Sequence, residues 1–278
     1  MRRVIFNQKG GVGKTSVSCN LAATFSKLGK KVLLIDLDPQ ANSSQYLLGK
    51  EYEKTGASIA DFFSSTLGFK IFKDNLKETM QSTPYEGLSI IPSSGELTEL
   101  QQKLEARYKI LKLKQSLDEL LKTKHFDEII IDTPPALNFY TMSAFIACDK
   151  VLIPFDCDAF SAKALFQVVE LVEEVAHDHQ PNLSVEGIVI NHFQASAKLP
   201  YETIQSLLAK GFKVFNPYLS SSIIMKESHE KSIPLVYLRP QHKLSLEYVE
   251  LAKNLAKKQA NVAAAPSRGK IKTDTIQV

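Results

Sequence analysis

Residues 9–16 read KGGVGKTS, a stretch that combines three glycines with two lysines and ends on two hydroxyl side chains. Glycines allow a turn tight enough to aim several backbone N–H groups at one anion, and a following helix turns its positive N-terminus toward the same charge. The phosphate-loop pattern G-x-x-x-x-G-K-[ST] asks for a glycine five positions before Gly13. The chain has Gln8 there, followed by Lys9, a second lysine that the pattern does not require. Gly10, Gly11, Val12, Gly13, Lys14, Thr15 and Ser16 form the candidate cradle. In it Lys14 reaches the β- and γ-phosphates and the Thr15 hydroxyl ligates Mg²⁺.

Two carboxylate sites follow. LLIDLDPQ offers Asp36 and Asp38, and EIIIDTPP offers Asp132, each after an apolar run. An isolated aspartate at a strand end is more often a helix cap than a catalyst. Three of them downstream of a phosphate loop, at the strand ends where open α/β sheets place ligands, point to metal and nucleotide. Asp132 is the candidate for the Mg²⁺ shell, with Asp36 as a further metal ligand. Asp38 is the candidate for orienting an attacking water, because phosphoryl transfer depends more on positioning and charge than on covalent chemistry.

The elements that must carry these residues are legible as short apolar runs. RRVIF, KVLLID, LSIIP, EIIIDT, KVLIPF and VEGIVIN are rich in Val and Ile without strict alternation, as expected of parallel strands buried on both faces. Helical stretches lie between them. One covers residues 15–29 and stops at Gly29; another covers 95–124 and sets Leu97, Leu100, Leu104, Tyr108 and Leu111 at helical spacing for packing on the sheet. The expected fold class is α/β, a doubly wound, mostly parallel sheet flanked by helices. Residues 41–85 read as an excursion of helices and loops before the strand at Leu88. From Ala260 the chain loses periodicity and large apolar residues, so we expect one domain over 1–259 and a disordered basic tail over 260–278.

Composition narrows the class. The chain has 278 residues, 44% hydrophobic and 23% charged, with a net charge of +4, a balance that suits a globular protein and mildly favours anionic partners. Cys19, Cys148 and Cys157 are scattered, so no zinc site, iron–sulfur cluster or disulfide framework is indicated, and a reduced cytoplasm is the expected home. The six histidines lack metal-site spacing apart from the local pair His177 and His179, which reads as a solvated helix end. MRRVIFNQ passes directly into a strand, leaving no room for a signal sequence, and no apolar run approaches the ~20 residues of a membrane span.

With NQKGGVGKT, DLDPQ and DTPP in this order, supported by PSSGELTELQQKL and CDKVLIPFDCDAFSAKAL, the chain resembles the ParA/MinD family of deviant Walker-A ATPases, and most of all its ParA branch. The similarity runs from Arg3 to about Ala256. It implies a P-loop NTPase of the SIMIBI type that uses ATP and Mg²⁺, forms a homodimer around two ATP molecules, and hydrolyses ATP slowly under stimulation by a partner. In that sandwich Lys9 crosses the interface to the phosphates held by the other subunit. Asn191, at the end of GIVINHF, matches the position that presents an asparagine to adenine. No acid follows it closely, as a guanine site would require, so ATP is favoured over GTP.

The resemblance further implies non-specific DNA binding on the nucleoid and a ParB-like or cargo-adaptor partner. Lys198, Lys210, Lys213, Lys226, Lys231, Arg239 and Lys243, then Lys253, Lys257, Lys258, Arg268, Lys270 and Lys272, make a basic C-terminal end suited to displacing DNA counterions. One departure stands out. Relatives often carry I-P-R-x-V-R-L-S-E, whereas LSSSIIMKESHE keeps the glutamate, Glu227, and has Ser and Ile in place of the arginines. A MinD-like membrane-cycling ATPase is the alternative, disfavoured because NVAAAPSRGKIKTDTIQV lacks an amphipathic helix with bulky apolar residues. Reductase and amidotransferase relatives would need cysteine pairs or a further domain. With the phosphate loop beginning at residue 9, no helix-turn-helix precedes it, so no operator-specific repression is expected.

Overall fold

The computed structural model describes residues 1–50, 52, 56–68, 76–157 and 161–261. Its strands are β1 (Arg2–Ile5), β2 (Val32–Asp36), β3 (Gln81–Ser82), β4 (Leu88–Ile91), β5 (Glu128–Asp132), β6 (Lys150–Asp156) and β7 (Ser184–Asn191). They form one sheet in the order β3-β4-β2-β5-β1-β6-β7, parallel throughout except for the antiparallel pair of β3 with β4. The six strands expected from the apolar runs are all present. β3 was not expected: two residues, neither of them hydrophobic, carry no periodic signal.

Alternation along each buried strand sorts the core into two layers. Val4 and Phe6 pack on one face and Ile5 on the other; Leu33 and Ile35 oppose Val32 and Leu34; Ile129 and Ile131 oppose Ile130. Side chains two apart share a face, so an unbroken aliphatic run feeds both layers. The first layer is completed by α3 (Ile59–Leu67), α4 (Leu97–Ala106), α5 (Lys112–Thr123), α6 (Phe139–Ala147), α7 (Ser161–Asp178) and α8 (Lys198–Ala209). The second holds α1 (Lys14–Lys27), α2 (Asn42–Leu48), α9 (Ile224–Lys231), α10 (Leu235–Leu238) and α11 (Lys243–Asn261). Each fully buried aliphatic or aromatic side chain contributes roughly 1.5–3 kcal/mol.

The expected helix over 95–124 is interrupted. Tyr108 adopts a left-handed conformation, φ 52°, and is 90% exposed, and a short 3-10 turn at Lys109–Leu111 separates α4 from α5. Leu97 and Leu104 reach the core as expected, whereas Tyr108 and Leu111 face outward. The loss is offset at once, because Leu113, Leu117 and Leu120 restart the buried stripe one turn later. Within the excursion, Ser58 caps α3 in a reciprocal capping box with Asp61. The tail expected from Ala260 lies, beyond Asn261, outside the described residues.

Order and direction locate the crevice. The connection after β1 passes over β5 to reach β2, and the connection after β5 passes over β1 to reach β6, so the winding reverses at the β1/β5 pair. Register then brings the carboxyl ends level: Ile5 pairs with Asp132, Asp132 with Asp36, and Asp156 with Asn191. Open sheets bind ligands at such a point.

A candidate nucleotide site at the carboxyl ends of the strands

The loop that leaves β1 is anchored before it turns. The Asn7 side chain donates to the Pro154 carbonyl at 2.8 Å and accepts the Lys9 amide at 2.9 Å, tying the loop to β6. Gly13 closes the loop with φ 87° as the N-cap of α1. A Cβ at this position would stand 2.2 Å from the Asn191 side-chain nitrogen, so both the backbone and its neighbour call for glycine. Asn191 in turn donates to the Val12 carbonyl at 2.9 Å. The first amides of α1 have no intrahelical acceptor and add to those of the loop. A cavity of about 540 Å³ opens beside them, lined by Gly10, Gly11, Gly13, Lys14, Thr15 and Ser16 on one side.

Asp132 stands behind the loop, fully buried, and accepts three hydroxyl hydrogen bonds: from Thr15 at 2.9 Å, Ser18 at 2.9 Å and Ser43 at 2.7 Å. Burial raises its pKa, opposed by those three donors. Thr15 is thus held by the carboxylate predicted to share its metal. An oxygen-only pair of hydroxyl and carboxylate suits a hard cation such as Mg²⁺. Asp36 sits elsewhere in the network. Its oxygens accept the Ser44 amide at 2.9 Å, the Ser44 hydroxyl at 2.7 Å and the Asp38 amide at 3.1 Å. Burial, and after it the charge of Asp132, pushes its pKa up to about 8.

Asp38 follows on the loop after β2, lines the cavity, and accepts the Gln40 amide at 2.9 Å, which fixes its carboxylate. Lys14 is buried, and desolvation lowers its pKa against the opposing pull of Asp132 and Asp38. Its ammonium donates to the Lys9 carbonyl at 3.4 Å, across the mouth of the loop. The structure therefore gathers Lys14, Thr15, Ser16, Asp38 and Asn191 around one cavity, with Asp132 directly behind Thr15 and Asp36 a step further back. Lys9 lies at the outer end of the same loop.

The far wall comes from the last third of the chain: Ser220, Ser221, Ser222, Met225, Lys226 and His229. His229 Nε2 lies 3.0 Å from Ser16 Oγ. Nothing local in the sequence ties these two, 213 positions apart. Ser18 and Ser43 are likewise invisible as partners of Asp132, although helical spacing from Thr15 does place Ser18 on a neighbouring face of α1.

Residues 3–185 match the AAA domain family. The chain is 30% identical over 255 residues to the sporulation initiation inhibitor protein Soj of Bacillus subtilis, covering 91% of this chain and 96% of that protein. Among solved structures, an ATP complex of a Cyanothece McdA variant superposes with a TM-score of 0.78 at 25% identity, over 92% of this chain and 96% of that one. The septum site-determining protein MinD of Pyrococcus horikoshii, complexed with Mg-ADP, gives 0.72 at 22% identity over 95% and 98%, a likeness of fold. Taken with the loop, the three aspartates and the sheet order, these similarities place the chain in the ParA/MinD family of deviant Walker-A ATPases.

Proposed function

We propose that the protein is an ATP hydrolase that binds MgATP in this cavity, dimerises around two nucleotides, associates non-specifically with DNA in that state, and positions or segregates a cargo. Hydrolysis is slow and is stimulated by an adaptor. The observation that carries the reading is the loop itself: Lys14, Thr15 and Asp38 meet at one cavity, and the Lys14 ammonium reaches the Lys9 carbonyl on the same loop. The binding of ATP by a McdA variant and of Mg-ADP by a MinD on the same fold supports the choice of ligand.

The geometry supports these roles for the cavity residues, and the resemblance supplies that of Lys9. Loop amides from Gly10 to Gly13, with Lys14 and Ser16, hold the phosphates; Asn191 borders the base. Thr15 and Asp132 would hold Mg²⁺, which when bound supplies charge neutralisation at the β- and γ-oxygens. Asp36, a further candidate ligand of the metal shell, accepts the amide of Asp38, and Asp38 orients the water. Lys9 acts in trans: a cation delivered by a second chain offsets phosphate charge only when two chains face each other, so nucleotide joins them and hydrolysis releases them.

The DNA reading rests on the cations of the C-terminal half, several of which stand in surface ion pairs. Lys198 pairs with Glu202, Lys231 and Arg239 with Glu227, and Lys243 with Glu247. The exposed pairs with Glu202 and Glu227 contribute little to stability, so exchanging those carboxylates for a phosphate costs the fold little, whereas Glu247 is largely buried and also holds Ser220. Among the described residues no helix is long and apolar enough to cross a membrane.

Size-exclusion chromatography and phosphate release with the wild-type protein, Lys9→Ala and Asp38→Ala test the scheme. Asp38→Ala is expected to bind ATP, elute as a dimer and lose hydrolysis by about 10²-fold or more. Lys9→Ala is expected to bind nucleotide and remain monomeric. A monomeric Asp38 variant, or a dimeric Lys9 variant, would count against the assignment. Vesicle pelleting with ATP checks the membrane alternative, and strong sedimentation of the protein with lipid would favour it.

A further inference from the structure

His229 has no part in the scheme above, yet it faces the same cavity as Ser16 and touches its hydroxyl. A serine hydroxyl has one proton to give and two lone pairs to accept with. Ser16 is the third residue of α1, so its amide is among those that lack an intrahelical acceptor, and it faces the anion site together with the loop. When phosphate fills that site, the charge-assisted bond takes the hydroxyl proton. Only lone pairs then remain for the imidazole. His229 must donate through Nε2–H, whereas in the free protein the same contact can run in either direction. Burial lowers the imidazole's affinity for a second proton, so the neutral ring and its choice of tautomer are what matter.

The ring is also wired into the wall behind it. It packs edge-to-face with the Tyr46 ring, centroids 4.7 Å apart and planes at 82°. The Tyr46 hydroxyl bonds to Ser228 and accepts from the Asn20 amide at 3.1 Å. Asn20 donates to the Ser16 carbonyl at 2.9 Å and accepts the Leu235 amide at 2.8 Å, so one small polar group joins the second turn of α1 to α9 and to the start of α10. Ile223, 83% exposed, stands just before α9, and Lys226 in its first turn lines the cavity wall.

We propose that His229 is a nucleotide-sensing ligand of this site: a nucleoside triphosphate fixes the direction of the Ser16–His229 hydrogen bond, and so locks α9 and the segment 220–226 against the phosphate loop. The inference rests on the nucleotide reading of the cavity and adds to it a path from the α1 N-terminus to an exposed surface. Because coupling is reciprocal, whatever grips segment 220–226 also tightens nucleotide binding.

Hydrogen exchange of amides 220–231 in the full-length protein, with and without a non-hydrolysable ATP analogue and Mg²⁺, reads this out for wild type, His229→Gln and His229→Leu. In the wild type nucleotide is expected to slow exchange about tenfold. His229→Gln, whose amide can still donate near the Nε2 position, retains the protection. His229→Leu, which fills space without donating, loses it even at saturating nucleotide and binds the analogue about tenfold more weakly. Nitrogen-15 spectra of the wild-type imidazole are expected to settle on the Nε2–H form when nucleotide binds. Full protection in the saturated leucine variant, or an imidazole spectrum that ignores nucleotide, would overturn the inference while leaving the nucleotide reading intact. A wild-type protein that binds no nucleotide would sink that reading and this inference with it.

Discussion

At the scale of single residues, Asp132 is the most informative position, because two substitutions separate its two duties. Its carboxylate satisfies three buried hydroxyls and is itself a buried charge, which desolvation makes costly. Asp132→Asn keeps one acceptor oxygen and removes the charge; Asp132→Ala takes away the acceptor of Thr15 and Ser43, while Ser18 still reaches the Lys14 carbonyl at 2.9 Å. Chemical denaturation without nucleotide is expected to show the asparagine variant within about 1 kcal/mol of wild type and the alanine variant about 2–4 kcal/mol less stable. Both are expected to lose Mg²⁺-dependent binding of nucleotide. An alanine variant as stable as wild type would show that Thr15 and Ser43 find other acceptors.

At the scale of elements, the loop and helix α1 differ in what they tolerate. Gly11 and Gly13 both have positive φ, 78° and 87°, but a Cβ at Gly11 meets nothing within 4 Å, whereas at Gly13 it collides with Asn191. Gly11→Ala pays only the left-handed backbone cost, about 1 kcal/mol. Gly13→Ala pays that and must also displace Asn191 from Val12, so thermal melts are expected to rank it clearly below Gly11→Ala. Equal melting temperatures would mean that Asn191 moves aside freely.

The same scale shows what the sequence made legible. The strands were readable because their aliphatic runs serve two layers at once, and the loop because its glycines and lysines sit at fixed spacing. Six strands and the site's near wall follow from those two signals. The break at Tyr108 was hidden, since a tyrosine at helical spacing resembles a packing residue and only the early return of Leu113 reveals the phase change. β3 was hidden because two polar residues show no period. Ser18 and Ser43 as partners of Asp132, and His229 as the neighbour of Ser16, were hidden for a different reason: each pairing is made by tertiary structure across 89 to 213 positions, where local pattern has no reach.

At the scale of the whole molecule, the amino-terminal ends of the central strands, opposite the cavity, are stitched by Asp127. Its carboxylate accepts the Lys31 amide at 2.8 Å, and its backbone carbonyl accepts the chain's amino terminus at 2.9 Å. The Lys31 amide holds the Asp127 carboxylate below its ordinary range. A depressed acid stabilises the fold above its unfolded pKa, and that contribution is lost as pH falls through the folded one. Thermal melts between about pH 3 and pH 6 are therefore expected to drop less steeply for Asp127→Asn than for wild type. Parallel curves would show that the contact is not felt by the fold.

One feature of the site reaches further. The family match ends at residue 185, yet Asn191, Ser220, Met225, Lys226, His229 and Leu244 all wall the cavity. Residues 3–185 thus carry the reactive groups, while much of the enclosure is supplied by the sequence that follows them. A chain severed after β6 would keep every catalytic candidate, lose Asn191 beside the base, and still leave the apolar and hydroxyl face of α1 bare to water, so the reactive half could not stand by itself.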